Sequence, residues 1–256
     1  MRSLKGKRAL IIGGTSGIGL AVARAFVEVD AQVVIAGRRE EAAATADSIG
    51  ALFVHCDVTN EQSVKNCLES AKDALGNLNV LVINAGIAVD EESIEVLPSD
   101  DMHQMVDVNF KGAFYSLKYA PSLMDDGSSM IYTGSVAGSG ITHPGAAVYA
   151  ATKAAGAYLV KTSAIENAPR GIRVNCVAPG LIAETGLMVP DDGNETAQFL
   201  AHFNAFGRLG KQAEVTGIYI FLASDEASYI TGQEMRVDGG MSAGFGLPLF
   251  GGIAGE

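Results

Sequence analysis

The sequence predicts a doubly wound α/β fold, a parallel sheet carrying helices on both faces. Three observations predict it. Short β-branched runs alternate with longer helical patterns, no linker interrupts that rhythm, and a glycine-rich turn joins the first run to the first helical segment. At 256 residues, 48% of them hydrophobic, the chain suits one large domain with a sizeable core better than two small ones.

Strands are expected at residues 9–12, 32–36, 52–56, 80–83, 129–133, 173–178 and 234–237. The first six run into segments of helical pattern or propensity, such as 18–29, 61–75 and 150–166. Repeated strand–helix alternation implies right-handed βαβ crossovers and therefore parallel pairing. The polar stretch 189–194 is short, and the rhythm resumes beyond it, so it is expected as a loop within the domain. The last stretch, 241–256, is rich in glycine, contains Phe245 and Phe250, and has no periodicity.

Net charge is −11, from 29 acidic and 18 basic residues, and no long basic run occurs. Nucleic acid and anionic membrane surfaces both require clustered Lys and Arg, so neither is an expected partner. Cys56, Cys67 and Cys176 lack metal-ligand spacing and cannot all pair, which points to reduced thiols in a cytoplasmic protein and to no metal. The apolar run 9–12 is too short for a secretory signal, and no eighteen-residue apolar stretch for a membrane span exists.

The first strand enters Gly13-Gly14-Thr15-Ser16-Gly17-Ile18-Gly19, and a helix is expected from Ile18. Glycines permit a tight turn and close approach to a pyrophosphate, and free N–H groups at a helix start attract its charge. Such a string alone is weak, because many are ordinary turns; its place between the first strand and first helix gives it meaning. The second strand ends in Ala36-Gly37-Arg38-Arg39, without the acid that would bind a ribose 2′-hydroxyl. The bland reading is a solvated Arg pair neutralised by Glu40 and Glu41. Basic charge is unfavourable at a helix N-terminus, so a bound anion explains the pair better and places NADP ahead of NAD.

Tyr149 and Lys153 stand four residues apart, on one face of a helix. A phenol is a poor acid near neutrality, and a neighbouring ammonium stabilises its phenolate and equips it for proton transfer. The pair alone is weak, since such pairs commonly decorate helix surfaces. Ser135, just past the strand at 129–133, points into the crevice where parallel sheets bind ligands, though a lone loop serine is ordinarily structural.

In combination, Gly13–Gly19, Cys56-Asp57-Val58, Asn84-Ala85-Gly86, Val108-Asn109, Ser135, Tyr149 with Lys153, and Pro179-Gly180 follow the order and spacing of the short-chain dehydrogenase/reductase family. The chain resembles that family from Lys7 to about Gly240. The resemblance implies a Rossmann-type, seven-stranded three-layer sandwich, usually in a homotetramer. It implies Tyr149 as general acid/base, Ser135 orienting the substrate oxygen, Lys153 lowering the Tyr149 pKa and holding the nicotinamide ribose, and Asn109 supporting a proton relay. For the cofactor it implies Gly13, Thr15, Ser16, Gly17, Ile18 and Gly19 around the phosphates. Arg38 and Arg39 would lie at the 2′-position, with Asp57 and Val58 at the adenine and Asn84, Ala85 and Gly86 along the groove. Pro179, Gly180, Ile182 and Thr185 would stand at the nicotinamide end. Ile12 and Ile83 depart from polar residues usual there, and an apolar contact between them is the expected replacement. Glu184 stands where Thr is commoner, with Thr185 one step later.

The expected activity is interconversion of a small secondary alcohol and a ketone. One alternative is a 3-oxoacyl-carrier-protein reductase, which usually presents basic residues where this chain has Ser122–Gly127 with two acids; Arg170 is the nearby basic match. Another is a catalytically idle NADP(H) sensor, which has no need of Asn109, Ser135, Tyr149 and Lys153 together. Substrate selectivity is expected from residues 88–97, 138–147 and 184–207, and self-association from the apolar segment 219–223 and the tail.

Overall fold

The computed structural model describes residues 3–89, 93–186 and 195–244. Seven strands form one sheet, all parallel, in the order β3-β2-β1-β4-β5-β6-β7. They are β1 Arg8–Ile12, β2 Gln32–Gly37, β3 Leu52–His55, β4 Val80–Ile83, β5 Ser129–Thr133, β6 Arg173–Pro179 and β7 Glu234–Val237. β4, β5 and β6 are buried at every position, whereas the edge strands β3 and β7 are partly exposed. Strands covered on both faces have no reason to alternate polar with apolar, which is why β4 reads as a short continuous apolar run, while β5 and β6 also bury Ser129, Arg173 and Asn175 with hydrogen-bond partners.

The helices are α1 Gly17–Glu28, α2 Ala42–Ser48, α3 Glu61–Leu75, α4 Ser99–Met105, α5 Gly112–Leu123, α6 Ala147–Asn167, α7 Glu195–Ala201 and α8 Gln212–Ala223. On one face, α3, α5 and α6 bury Leu68, Leu117 and Val160 against Leu10, Leu81 and Met130. On the other, α1 and α8 bury Val22, Phe26, Tyr219 and Leu222 against Ile11, Ile35 and Ile131. Asn60 starts α3 by accepting the Ser63 N–H at 3.0 Å, and Gly76 ends it at φ 72°.

Ile12 and Ile83 are register partners across β1 and β4, both buried in one cluster, so the apolar contact expected there is present. The segment 219–223 is a different matter: Tyr219, Leu222 and Ala223 are buried in the chain's own core. An unbroken apolar run here reflects a helix pressed on the sheet, and these three side chains offer nothing to another subunit. The tail from 245 onward, Met188 and the loop 189–194 lie outside the described residues. The three cysteines are buried and unbridged. Among the described residues, no helix is long and apolar enough to cross a membrane.

After β1 the chain winds outward through β2 and β3, then returns to lay β4 on the other side of β1. The carboxyl ends of β1 and β4 therefore diverge into a crevice, the place where open α/β sheets bind ligands.

Candidate active site

The crevice floor is the turn after β1. Gly13 has φ +81°, and a Cβ there would stand 2.5 Å from the Ala85 nitrogen. A Cβ on Gly19 would stand 2.1 Å from the Gly13 carbonyl oxygen. Only glycine fits either place. Asn84 locks the turn to β4, its Nδ2 donating to the Gly13 carbonyl at 2.9 Å, while the Asn84 and Ala85 N–H groups both donate to the Ile12 carbonyl. Ser16 is the exposed N-cap of α1, with extended backbone and no side-chain capping bond, and no acid stands in the first turn. The first N–H groups of α1, at Gly17, Ile18 and Gly19, thus face the crevice without a side-chain cap, a ready anion cradle. Gly17, at φ +52°, lies against Thr185, whose hydroxyl donates to the Ile182 carbonyl at 3.3 Å. Thr185 therefore reaches the phosphate turn.

At the end of β2, a Cβ on Gly37 would meet the Thr15 side chain at 2.8 Å, so the missing acid and the Thr15 contact belong to one arrangement. Arg38 and Arg39 are exposed. Burial raises the Asp57 carboxyl, yet hydrogen bonds from the Thr59 hydroxyl and N–H, with the charges of Arg38 and His55 nearby, leave it below its ordinary range. Arg38 therefore faces Asp57 across the carboxyl ends of β2 and β3. Val58 turns its side chain inward, where a Cβ on Gly112 would meet it at 2.9 Å; only its main chain remains for a ligand.

The other wall carries the polar side chains. Ser135 follows β5 in extended backbone, and its Oγ accepts the Ala137 N–H at 3.2 Å. Tyr149, in the first turn of α6, brings its phenol beside the Ser135 hydroxyl, which lowers the phenol's pKa. One turn along, Lys153 is buried, and its Nζ donates to the Thr133 carbonyl at 3.0 Å and lies 5.8 Å from the Tyr149 ring centre. Gly86 leaves room for that ammonium, since a Cβ there would come within 2.9 Å of Nζ.

α4 and α5 are one rod interrupted by a π-helical turn over Val106–Lys111. Such a turn adds a residue and re-aims the side chains around it, frequently at functional sites. Here it carries the fully buried Asn109, whose Oδ1 accepts the Ile87 N–H at 2.8 Å while its Nδ2 donates to the Ile87 carbonyl at 2.9 Å and to Thr152 Oγ1 at 3.1 Å. Asn109 thus clamps the strand that leaves β4 onto α6.

Burial pushes the Tyr149 phenol above its ordinary value, and the Ser135 hydrogen bond only pulls it part of the way back. The Lys153 ammonium, which the resemblance casts as lowering this pKa, is turned here to the Thr133 carbonyl. Burial likewise pulls Lys153 down to about 8.

Pro179 ends β6 in the core, and Gly180 passes within contact of Asp238, where a Cβ would stand 2.8 Å from its Cα. Ile182 is buried and pairs with Gly210 in an isolated parallel bridge. Glu184 takes a left-handed φ of 59°, and its carbonyl accepts Gln212 Nε2 at 2.6 Å. This neck was not foreseen; Gly210 carried no visible signal beyond being glycine. Ile87, Thr152 and Tyr132 were likewise missed.

Two sets of residues, from turns distant in sequence, therefore meet across one crevice: a glycine anion cradle and a Ser–Tyr–Lys group. The family model described as enoyl-(acyl carrier protein) reductase matches residues 13–242. A 2,5-dichloro-2,5-cyclohexadiene-1,4-diol dehydrogenase of Sphingobium indicum is 40% identical over 256 residues, covering 94% of this chain and 98% of that protein. An NADP-dependent (R)-specific alcohol dehydrogenase of Lentilactobacillus kefiri is 35% identical over 250 residues, covering 94% and 98%. A short-chain dehydrogenase of Burkholderia cenocepacia, solved in complex with NADP, superposes with a TM-score of 0.87 at 31% identity, covering 94% of this chain and 99% of that one. The chain belongs to the short-chain dehydrogenase/reductase family of NAD(P)-dependent oxidoreductases.

Proposed function

We propose that the protein interconverts a small secondary alcohol and its ketone, with NADP(H) as the hydride carrier. The observation that carries this reading is the Tyr149 phenol beside the Ser135 hydroxyl, with the Lys153 ammonium buried one turn below, bound to the Thr133 carbonyl and 5.8 Å from the Tyr149 ring centre. The cradle suits a dinucleotide, because glycine at 13 and 19 lets the turn lie tightly against β4 and the α1 N–H groups open onto it without a side-chain cap. Gly13, Thr15, Ser16, Gly17, Ile18 and Gly19 would hold the pyrophosphate, and Asp57, Val58 and Asn84 to Gly86 the adenosine side. Pro179, Gly180, Ile182 and Thr185 would hold the nicotinamide side. Arg38 and Arg39, in place of an acid, would receive a 2′-phosphate. The NADP dependence named for the Lentilactobacillus relative and the NADP bound in the Burkholderia structure favour the same choice.

When bound, the cofactor supplies or accepts the hydride. The rest belongs to the chain. Ser135 and Tyr149 place two hydroxyls where a substrate oxygen can lie between them, so that oxygen is held and polarised. In reduction the Tyr149 hydroxyl gives its proton to the developing alkoxide; in oxidation the phenolate takes one from the alcohol. Lys153 holds a positive charge one turn below the phenol, which favours phenolate once the ammonium turns toward it. Asn109 fixes the floor by clamping Ile87 to α6.

A free alcohol fits better than a carrier-protein thioester. Arg170 is engaged within the chain, donating to Asp126 at 2.8 Å and to the Met124 and Pro121 carbonyls. We further propose one domain over the whole chain, a cytoplasmic location and a homotetramer. The exposed Phe114, Tyr158 and Ile165 on α5 and α6 are apolar enough to support self-association. The test is a panel of alcohols and ketones with each cofactor, followed by absorbance of the reduced nicotinamide. Turnover lost in Tyr149→Phe supports the reading; cofactor binding without turnover of any compound would make the chain a sensor.

A further inference from the structure

Directly behind the Ser–Tyr–Lys group lies Tyr132, on β5, three residues before Ser135 and fully buried. Its ring centre is 5.4 Å from Lys153 Nζ, slightly nearer than the ring of Tyr149. Its hydroxyl has no hydrogen-bond partner among the described residues. That hydroxyl instead abuts α6 at Gly156, where a Cβ would come within 2.4 Å of it. Glycine is a poorer helix former than alanine, and here it makes room for the Tyr132 side chain. A buried tyrosine that leaves its polar end unpaired, beside a buried ammonium with one carbonyl acceptor, calls for an explanation in which the ring matters.

An ammonium has three donor directions. For Lys153, the Thr133 carbonyl takes one. Aromatic faces attract a cation electrostatically, most strongly where water is excluded. Resting on the reading of Lys153 given above, we propose that Tyr132 is a positioning residue: its π face, not its hydroxyl, holds the Lys153 ammonium charged and aimed beneath Tyr149. The titratable groups facing Lys153 are Tyr149 from its own helix, Tyr132 from β5 and Cys176 from β6. Burial pushes the Cys176 thiol up to about 12 and the Tyr132 phenol higher still, so both stay neutral around pH 8 and neither supplies a counter-charge.

The test measures NADPH affinity against pH by fluorescence of the bound reduced nicotinamide. In the wild type, affinity falls as pH rises through the loss of the Lys153 proton, near 8. Tyr132→Phe keeps the ring and leaves that midpoint in place. Tyr132→Leu removes the ring and moves the midpoint about one unit toward acid. Because Tyr132→Leu can also disturb packing, a fluorinated phenylalanine at position 132 repeats the test at nearly constant shape. Its weakened π face moves the midpoint in the same direction, further with each added fluorine, which a purely structural role would not do. A midpoint that stays fixed through the fluorinated series overturns the inference. Lys153→Ala separates the two readings: the pH step must vanish in that variant, and if it persists the assignment of Lys153 itself is wrong.

Discussion

The Thr133 carbonyl accepts the Lys153 ammonium at 3.0 Å, inside the protein and below the Tyr149 ring. Folding thus buries a charge with one hydrogen-bonded oxygen, and burial pulls the amine from 10.5 down to about 8. The unfolded chain keeps this proton up to its ordinary pKa, so between about 8 and 10.5 it binds more protons than the folded one. Stability therefore rises with pH across that window, and the penalty is fully present below it. Lys153→Met is expected to raise the melting temperature of the cofactor-free protein at pH 7, by up to about 3 kcal/mol of stability, while abolishing turnover. Calorimetry at pH 7 and pH 10 checks it: the gain should shrink at the higher pH.

On the proposed reading, Arg38 sets the cofactor choice. Arg38→Ala should weaken NADPH about 10- to 100-fold, the worth of a charge-assisted hydrogen bond, and leave NADH nearly unchanged. Titration calorimetry with both cofactors decides the matter; equal losses for both would refute the assignment.

Alcohol oxidation should climb with pH. Burial holds the Tyr149 phenol above its ordinary value, so the phenolate that the proposed mechanism needs for oxidation is scarce at neutral pH in the free enzyme. Ketone reduction uses the neutral phenol and keeps its proton donor over the same range. Profiles of kcat/KM in the two directions should cross, and Tyr149→Phe should lower both by roughly 10²–10⁴-fold. Parallel profiles would show that another group carries the proton.

Gly19→Ala should destroy cofactor binding. The added Cβ would sit 2.1 Å from the Gly13 carbonyl and 2.6 Å from Asn84 Nδ2, which forces the turn off β4. Fluorescence of bound NADPH should be lost even where circular dichroism shows a folded sheet.

Asn109→Ala removes three hydrogen bonds, two to half-buried Ile87 and one to buried Thr152. A stability loss of about 2–4 kcal/mol is expected, read by urea unfolding. Loss of turnover should exceed loss of cofactor affinity, because the clamp supports the wall that carries Lys153.

The strands were legible because a buried parallel strand must be apolar on both faces; the expected second strand at 32–36 appears as Gln32–Gly37. Gly13, Gly19, Ser135, Tyr149 and Lys153 were legible because several short motifs follow one another in a single order and spacing along the chain. What stayed hidden depends on contacts between distant segments. The π-helical turn around Asn109 leaves no local trace, since its residues have ordinary helical character. Tyr132 looked like one more strand aromatic, and its meaning appears only when α6 brings Lys153 and Gly156 onto it. The short helices α2 and α4 are seven residues each, too brief for a periodic pattern to show.

The Ile182–Gly210 bridge, with Gln212 tied to the Glu184 carbonyl, brings the two ends of one long excursion side by side. Once its ends are pinned, the length between them matters little to the free energy of closing it, since each doubling adds only about 0.6 kcal/mol. On the proposed reading, a change in the length of the stretch beyond Thr185 therefore costs little in closing free energy, provided Ala197 and Leu209 keep their buried cluster and Thr185 its place on the glycine turn.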